Sequence, residues 1–537
     1  MSVLRRVDGP QPPYSSAPGY PDALDARLLW IAGVCVLASL TVTLDSTVVF
    51  VAQRTFINVF QSNEAVVAWT MTGYVLALAT VTPLAGWAAD RFGAKRLFIS
   101  SVLAFTLGSL LCTMASNIAA LIVFRVLQGF GGGLVMPIVM TILAREAGPK
   151  RLGRLMAVAG TPMLLGPIGG PILGGWLIYA FGWKWIFLIN LPIGLITIAL
   201  AAAVFPKDEP APSESFDLIG VLLLSPGLAT LLYGLSSLPA HGTPADPHVW
   251  VPVTLGLLLI TGFVFHALYR TDHPLIDVRL FANRVVTLAN VVMFLFAIAI
   301  AGAGLLCPSY FQQLLHHTPL QAGLAVIPIG VGGMLTLPLA GVLLDRHGPG
   351  KVVMAGIALV CLGTGLFAFG VANHAAYLPV LFTGLAIVGL GMGCTQMLVA
   401  GVAVQTLAPH QIARGSTLVN VNQHVAGSVA YALMSVILTN QFIRSENITA
   451  AQKLATLRDN AAKSGAPVDP AAVPHRALSP DFAGSVLHDL THAYTVVFVV
   501  VFVLTALSFI PAVFLPKRAA ESLGAPSTVD VPAGADA

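Results

Sequence analysis

The chain has 537 residues, of which 56 % are apolar and 9 % charged, and its formal net charge is +4. A soluble domain carries roughly 25 % charged residues, so this composition excludes a large soluble protein with a charged surface. The small positive excess gives no reason to expect a nucleic-acid partner.

The apolar residues form separate runs of about 20, the length that crosses a hydrocarbon layer roughly 30 Å thick. The first run is too long for a removable signal peptide. The pattern predicts an all-α polytopic membrane protein with 14 transmembrane helices. Their predicted bounds are 28–52, 65–86, 97–115, 118–144, 153–179, 183–205, 216–238, 249–270, 285–311, 320–344, 351–371, 377–404, 412–440 and 494–515.

Lys and Arg are divided unevenly between the two sides of this topology. With the N-terminus inside, short loops and tails carry 19 of them on the inner side and 2 on the outer side. Because cytoplasmic loops carry an excess of Lys and Arg, both termini are predicted to be cytoplasmic. The expected location is the plasma (inner) membrane.

Two charged residues lie deep inside predicted spans, the acid Asp45 in span 1 and the base Arg125 in span 4. Both are about seven residues from the outer ends of their helices, which places them at similar depth, roughly 10 Å inside. Charges in a span are rare unless they pair, line a cavity or carry protons. One hypothesis is that Asp45 exchanges a proton under the influence of Arg125; the alternative is a structural ion pair that locks the two helices together.

The chain also contains an internal repeat. LAGWAADRFGAKRLF (84–98) and LAGVLLDRHGPGKVV (339–353) share six identities in register, 255 residues apart. Paired repeats are typical of secondary transporters, so two six-helix bundles are predicted with two helices inserted between them. The predicted regions are tail 1–27, N-terminal bundle 28–205, linker with two inserted helices 206–284, C-terminal bundle 285–516 with outer loop 441–493, and tail 517–537.

Several motifs give a resemblance to a known family. They are LDSTVV (44–49), GWAADRFGAKR (86–96), RVLQGFGGG (125–133), GPIGGPILGG (166–175), WKWIFLINLPIG (183–194) and SYFQQLLHHTPLQAGLAVIP (309–328). Together with 14 spans they resemble the major facilitator superfamily, in particular its drug:proton antiporter-2 family of the EmrB/QacA type, over about residues 28–515. One departure is the outer end of helix 1, where Phe50 and Ala52-Gln53-Arg54 replace the usual Asn and Ala-Leu-Pro step.

The resemblance implies roles for two of these motifs. The inner loop would act as a conformational gate, through Gly86, Asp90, Arg91, Gly93 and Arg96. Asp90 is expected to dock at the start of helix 13, near residues 414–416, where helix N–H groups favour an anion. Helix 5 would carry the antiporter motif, through Gly166, Gly170, Pro171, Gly174 and Gly175. Simple tight packing of this glycine face is the alternative.

A substrate cavity is predicted from span membership alone. Apolar and adaptable residues suit several lipophilic molecules. The candidates are Met71, Tyr74, Met136, Met163, Phe294, Phe296 and Met397, together with a polar face of helix 13 that carries Asn420, Gln423 and His424. A polar face of this kind alternatively just bonds neighbouring helices.

The predicted function is therefore a proton-coupled exporter of lipophilic drugs or toxic small molecules that works by alternating access and is not an enzyme. Two alternatives are an exporter dedicated to one endogenous metabolite, lipid or siderophore, and a non-transporting membrane receptor or scaffold. No cofactor or metal site is expected, since the five Cys form no CxxC pair and no phosphate-binding loop occurs. The expected partners are a lipophilic small molecule, protons and membrane lipids, with a periplasmic adaptor as a further candidate at the outer loop.

Overall fold

A computed structural model describes residues 25–62, 64–208, 216–241, 245–271, 274–407, 411–464 and 472–516. Over these ranges the chain is almost entirely helical, without strands. The helices are α1 (Ala26–Phe60), α2 (Glu64–Val81), α3 (Ala85–Phe92), α4 (Ala94–Thr113), α5 (Ile118–Phe181), α6 (Trp185–Leu188), α7 (Asn190–Val204), α8 (Leu218–His241), α9 (Pro247–Tyr269), α10 (Arg284–Gln313), α11 (Pro319–Ala325), α12 (Ile327–His347), α13 (Pro349–Ala372), α14 (Phe382–Gly393), α15 (Gln396–Gln405), α16 (Ile412–Arg444), α17 (Glu446–Ser464) and α18 (Phe482–Val513). We call the end of the bundle at which α1 begins the basal end, and the opposite end the distal end.

Polar residues at several helix starts satisfy backbone N–H groups that have no partner inside the helix. Asp25 accepts from the N–H of Leu28 at 3.0 Å, and Asn117 accepts from the N–H of Ala120 at 2.8 Å. Such caps stabilise a helix start by about 1 kcal/mol. They fix where α1 and α5 begin.

Thirteen helices in the described part of the chain are long and apolar enough to cross a membrane. They confirm the all-α polytopic class. The predicted span 153–179 lies in the second part of α5, a helical element of 64 residues, and it is not among the thirteen because several of its side chains lie outside the described part. Ile172–Phe181 within it is a further, shorter apolar helix.

The contacts of α5 with α1 show that this element folds back on itself. Arg125 near its start and Gly166 further along both touch one short stretch of α1, at Asp45 and Thr47 respectively. In a straight helix these two positions would lie about 60 Å apart. The two arms of α5 therefore run side by side along α1, as two crossing segments would.

The two repeated loops adopt the same turn. Gly93 links α3 to α4 with φ 92°, and Gly348 links α12 to α13 with φ 82°. Both values lie in the left-handed region that glycine adopts without strain. The sequence repeat thus corresponds to a repeat of backbone geometry.

Buried apolar side chains join the two halves of the chain at the basal end. One continuous cluster includes Leu28 and Leu143 from the first half and Val404 and Ile412 from the second. At the distal end the clusters divide: one draws only on α1, α2 and α4–α6 and their connections, whereas another draws on helices from α10 onward and their connections. Both halves thus contribute to the basal cluster, and α11 and α12 of the second half also lie against α5 of the first half.

The inserted helix α8 lies against both halves, and α9 packs against α8. Ser225 of α8 donates a hydrogen bond to the carbonyl oxygen of Thr80 in α2 at 2.7 Å, and the rings of Tyr233 and Trp69 stack 5.8 Å apart. On the other side, Leu224 of α8 belongs to an apolar cluster with Leu418 of α16. The helix α8 therefore bridges α2 and α16.

The predicted outer loop 441–493 contains the 19-residue helix α17. The carboxylate of Asp489 accepts hydrogen bonds from Ser445 at 2.6 Å and from Asn447 at 3.0 Å, which ties the start of α17 to α18. An exposed ion pair between Arg476 and Glu446 adds a second link, 2.7 Å long.

Candidate functional site

The two deep charges of the sequence form an ion pair. Arg125 Nη1 of α5 donates to Asp45 Oδ2 of α1 at 2.5 Å, and the two side chains are only 1 % and 0 % exposed. Their predicted depths implied that they meet. Because each ion loses several kcal/mol of hydration when it is buried, each requires the other to remain charged in this place.

Three neutral residues complete the surroundings of the Asp45 carboxylate. Gln128 Nε2 and Asn190 Nδ2 both donate to Asp45 Oδ1, at 3.0 and 2.9 Å. The same two nitrogens donate to the hydroxyl oxygen of Ser109, at 2.6 and 3.2 Å. Arg125 also donates to Gln128 Oε1 at 2.7 Å. The network therefore connects α1, α4, α5 and α7 through one carboxylate.

Arg125 is held from its other side by α2. Its Nε donates to the carbonyl oxygen of Thr70 at 3.1 Å, and the ring of Tyr74 lies 4.0 Å from the guanidinium carbon. Such a cation–π contact stabilises a desolvated cation by about 2 kcal/mol. Gln53, at the outer end of helix 1 where the chain departs from its family pattern, donates to the Thr70 hydroxyl at 3.1 Å. Thr70 therefore connects this departure from the motif to Arg125.

The glycines of the antiporter motif lie against α1. The Thr47 hydroxyl donates to the carbonyl oxygen of Gly166 at 3.0 Å, and a Cβ atom at Gly170 would overlap the Thr47 side chain. A Cβ at Gly174 would lie 2.9 Å from Val48. The glycine face therefore lets α1 approach closely, which is the tight packing named as the alternative, and the antiporter role of the motif stays a prediction.

Two other residues of that motif differ in their surroundings. Among the described residues, no atom lies within 4 Å of a Cβ built at Gly175. The side chain of Pro171 lies outside the described part. Gly175 is thus not part of the contact with α1.

The gate residue Gly86 lies at the basal contact between the two halves. A Cβ atom there would lie 3.1–3.2 Å from Thr417, Ala413 and Arg414, all in the first turns of α16. The helix α3 therefore rests on the helix start at which Asp90 was expected to dock. Asp90 itself forms an ion pair with Arg145 Nη2 of α5 at 2.7 Å. Arg91 is half-buried on the last turn of α3.

The remaining gate residues are held by the chain that follows α7. Asp208 accepts from the backbone N–H groups of Lys95 and Arg96, at 2.8 and 3.0 Å, and so caps the start of α4. A Cβ atom at Gly93 would overlap the Asp208 carboxylate. The Arg96 side chain itself is 77 % exposed. This role of Asp208 was not predicted, although an acidic residue near a helix start is favourable.

The residues predicted to line a substrate cavity differ in their burial and in their contacts. Tyr74 and Phe296 are each 1 % exposed, and Asn420 is buried, with its amide donating to the carbonyl oxygen of Ser416 at 2.8 Å. In this conformation these three face other side chains. The half-buried members are Met71, Met136, Phe294, Gln423 and His424, whereas the side chains of Met163 and Met397 lie outside the described part. The cavity stays a prediction.

The polar face of α16 makes contacts in both halves of the chain. Asn420 Nδ2 lies 3.7 Å from the sulfur of Met140 in α5, and Gln423 Nε2 lies 3.7 Å from the sulfur of Met293 in α10. The neighbouring Asn422 donates to the carbonyl oxygen of Asn290 at 2.9 Å. This face therefore bonds α16 to neighbouring helices.

A membrane bundle with a repeated basal turn and one buried ion pair is the architecture of a secondary transporter. The model of the Major Facilitator Superfamily matches residues 30–431. The chain belongs to this superfamily.

Two proteins named for multidrug resistance or multidrug export are similar to most of the chain. It is 61 % identical over 514 residues to a protein named "Multidrug resistance protein B homolog" of Mycobacterium tuberculosis (strain H37Rv), covering 96 % of this chain and 95 % of the relative. It is 28 % identical to "Multidrug export protein EmrB" of Haemophilus influenzae, covering 80 % and 84 %.

Solved structures support the fold. The proton:xylose symporter XylE aligns with a TM-score of 0.58 over 93 % of this chain and 99 % of that one, at 14 % identity. The human organic anion transporter MFSD10 aligns with a TM-score of 0.55 over 89 % and 99 %, at 17 % identity. At these identities the likeness concerns the fold alone.

Proposed function

We propose that the protein is a proton-coupled exporter of lipophilic drugs or toxic small molecules, working by alternating access, and not an enzyme. The observation that carries the proposal is the buried pair of Asp45 and Arg125 in a chain of this superfamily. The names of the relatives, which include multidrug resistance and multidrug export proteins, support the substrate class.

The proposed proton site is Asp45. A proton that binds there removes the negative charge and leaves the buried cation of Arg125 uncompensated. Because an uncompensated buried charge is strongly unfavourable, protonation favours a conformation in which Arg125 is hydrated or finds another partner. Deprotonation restores the pair and the conformation described above.

The energy for export would come from proton movement down its gradient. One proton that enters across 100 mV releases about 2.3 kcal/mol before any pH difference is counted. With one deep acid, the cycle needs only one proton. Protonated Asp45 would release substrate to the outside, and deprotonation toward the cytoplasm would permit rebinding.

The described conformation would be the outward-facing one. The apolar cluster that joins the two halves includes Leu28 and Ile412 at the basal end, where Gly86 of α3 also lies against α16. In the proposed topology the basal end is cytoplasmic. The contact of Gly86 with α16 would hold the basal side closed in this state and separate in the other, and the ion pair of Asp90 with Arg145 would hold α3 against α5 within the first half.

The proposed topology places the protein in the plasma (inner) membrane with both tails inside. The tails 1–27 and 517–537 lie almost wholly outside the described residues, so their side follows from the charge distribution. The proposed division into bundles 28–205 and 285–516 follows from the repeat. A periplasmic adaptor at the outer loop is a further proposed partner.

The test uses purified protein in liposomes with an imposed pH gradient. Uptake of lipophilic cations, anions and neutral antibiotics is measured together with proton flux, for wild type, Asp45→Asn and the control Thr197→Val. Thr197 is suitable because its hydroxyl bonds within its own helix, to the carbonyl oxygen of Ile193 at 2.7 Å. We expect coupled flux in wild type and the control, and none in Asp45→Asn.

The same assay separates the alternatives. Flux with a single endogenous metabolite, lipid or siderophore, and with no drug, would indicate a dedicated exporter. Specific binding without any flux would indicate a receptor or scaffold. Full uphill transport by Asp45→Asn would contradict the proposed proton site.

A further inference from the structure

One oxygen of Asp45 accepts two hydrogen bonds from side-chain amides. Gln128 Nε2 and Asn190 Nδ2 lie 3.0 and 2.9 Å from Oδ1. An ionised carboxylate only accepts hydrogen bonds, so both amides must present their nitrogen to it. The described arrangement is therefore matched to the charged form of Asp45.

A proton cannot enter this arrangement without a rearrangement. The oxygen Oδ2 lies 2.5 Å from Nη1 of Arg125. Because a guanidinium only donates hydrogen bonds, it cannot accept one from a proton bound to Oδ2. On Oδ1 the two amide donors occupy both lone-pair directions. When a proton binds to Oδ1, one amide nitrogen must therefore leave.

The two amides differ in their freedom to turn. Gln128 Oε1 accepts from Arg125 Nη1 at 2.7 Å, so a turned Gln128 would direct its nitrogen at another donor. Among the described residues, none donates to Oδ1 of Asn190. Turning Asn190 by about 180° about its last torsion brings that oxygen to Asp45. This torsion has a broad, two-fold profile.

We propose that Asn190 is an amide switch that follows the protonation of Asp45. With Asp45 ionised, Asn190 Nδ2 donates to the carboxylate and to Ser109. With Asp45 protonated, Asn190 turns, its Oδ1 accepts from the new O–H group of Asp45, and the Ser109 hydroxyl donates to it. The proton comes from water and no other bond is made or broken. Asn190 is thus a positioning residue, and the inference rests on the proposed proton exchange at Asp45.

Other titratable groups that face this network come from three helices. Arg125 is the cation already described, and the Cys112 thiol lies 3.6 Å from Gln128 Oε1. The third is Tyr74, whose buried hydroxyl has no hydrogen-bond partner within the described ranges. Tyr74 therefore competes with Asn190 to accept a hydrogen bond from protonated Asp45, and the experiment must distinguish the two residues.

The test is infrared difference spectroscopy of the purified full chain, titrated between high and low pH, with asparagine labelled by ¹³C in its side-chain carbonyl. Wild type should show a carboxylic acid band that is absent in Asp45→Asn. It should also show a shift of one asparagine amide band that is absent in both Asp45→Asn and Asn190→Leu, a variant of similar shape. Thr197→Val should retain both signals.

The outcomes separate this inference from the proposed function. If no Asp45 acid band appears, the proposed proton site and the switch both fail. If the acid band appears without any asparagine shift in labelled wild type, only the switch is wrong, and this comparison does not depend on the folding of Asn190→Leu. If Tyr74→Phe, and not Asn190→Leu, moves the acid band, the phenol accepts the proton's hydrogen bond and the switch is likewise wrong.

Discussion

Arg125 and Asp45 are each other's only oppositely charged partner in the described core of the first half, with a nitrogen-to-oxygen distance of 2.5 Å. Removal of one member leaves a buried charge without compensation, whereas removal of both charges leaves none. The unfolding free energies of the single and double variants should therefore differ, and this difference does not depend on the role of the pair in transport.

Asp45→Asn should lower the unfolding free energy by about 3–5 kcal/mol, as expected for a broken buried pair. The double variant Asp45→Asn/Arg125→Gln should recover most of this loss and still not transport. Thermal unfolding in detergent, followed by tryptophan fluorescence, measures both. Equal instability of the single and double variants would contradict the argument from the uncompensated charge.

Gly170→Ala should be destabilising by about 1–3 kcal/mol, because the new methyl group overlaps Thr47 and forces α1 and α5 apart. Gly175→Ala is a matched control in the same motif, since a Cβ there meets no described atom within 4 Å. Unfolding temperature and transport rate measure the difference. If the two variants behave alike, the close approach to α1 is not what the motif requires.

Asp90→Asn should weaken the basal contact indirectly, because it removes the ion pair with Arg145 that holds α3 on α5, and Gly86 of α3 is the residue that lies against α16. A loss of about 1 kcal/mol would change the ratio of inward- to outward-facing molecules by about fivefold. The measurement is the rate of thiol labelling at Asn420→Cys, a position buried against α5 in the described state. Labelling that stays as slow as in the parent protein would count against a gating role. The control is Gly33→Ala, since a Cβ atom at this position has no described atom within 4 Å.

Asp489→Ala should loosen the start of α17, since the carboxylate accepts bonds from both Ser445 and Asn447. The expected result is faster hydrogen exchange and proteolysis between residues 446 and 464. Arg476→Ala breaks an ion pair whose two side chains are 63 % and 74 % exposed, and such pairs add little stability. Comparable loosening by the two variants would show that the helix is not held through Asp489.

The sequence was sufficient to find the charged pair and the repeated turn, because single charges in apolar runs and a fifteen-residue repeat are conspicuous. Gln128 and Asn190 were missed as ligands of Asp45, since neutral amides in membrane helices are common and usually bond to neighbouring helices. A signal did exist: Gln128 follows Arg125 by three residues on the same helix face. Asn190 lies within a recognised motif and could be placed beside Asp45 only by the packing of α7.

Other features depended on tertiary contacts. The continuity of α5 was not predicted, because the residues between its two arms include Gly148 and Pro149, which favour a loop. Helix α17 lies outside the predicted helix bounds. Its low hydrophobicity resembles that of a linker, and its attachment to Asp489 connects residues more than 40 positions apart.

The bridge formed by α8 limits how the two halves can move. Since α8 touches both α2 and α16, neither of these helices can shift relative to the other without slippage along one surface of α8. Its link to α2 includes a directional hydrogen bond and an aromatic stack, whereas its described contacts with α16 are apolar and tolerate sliding. The insertion should therefore travel with the first half during each transport cycle, and the surface between α8 and α16 should act as the plane of slip.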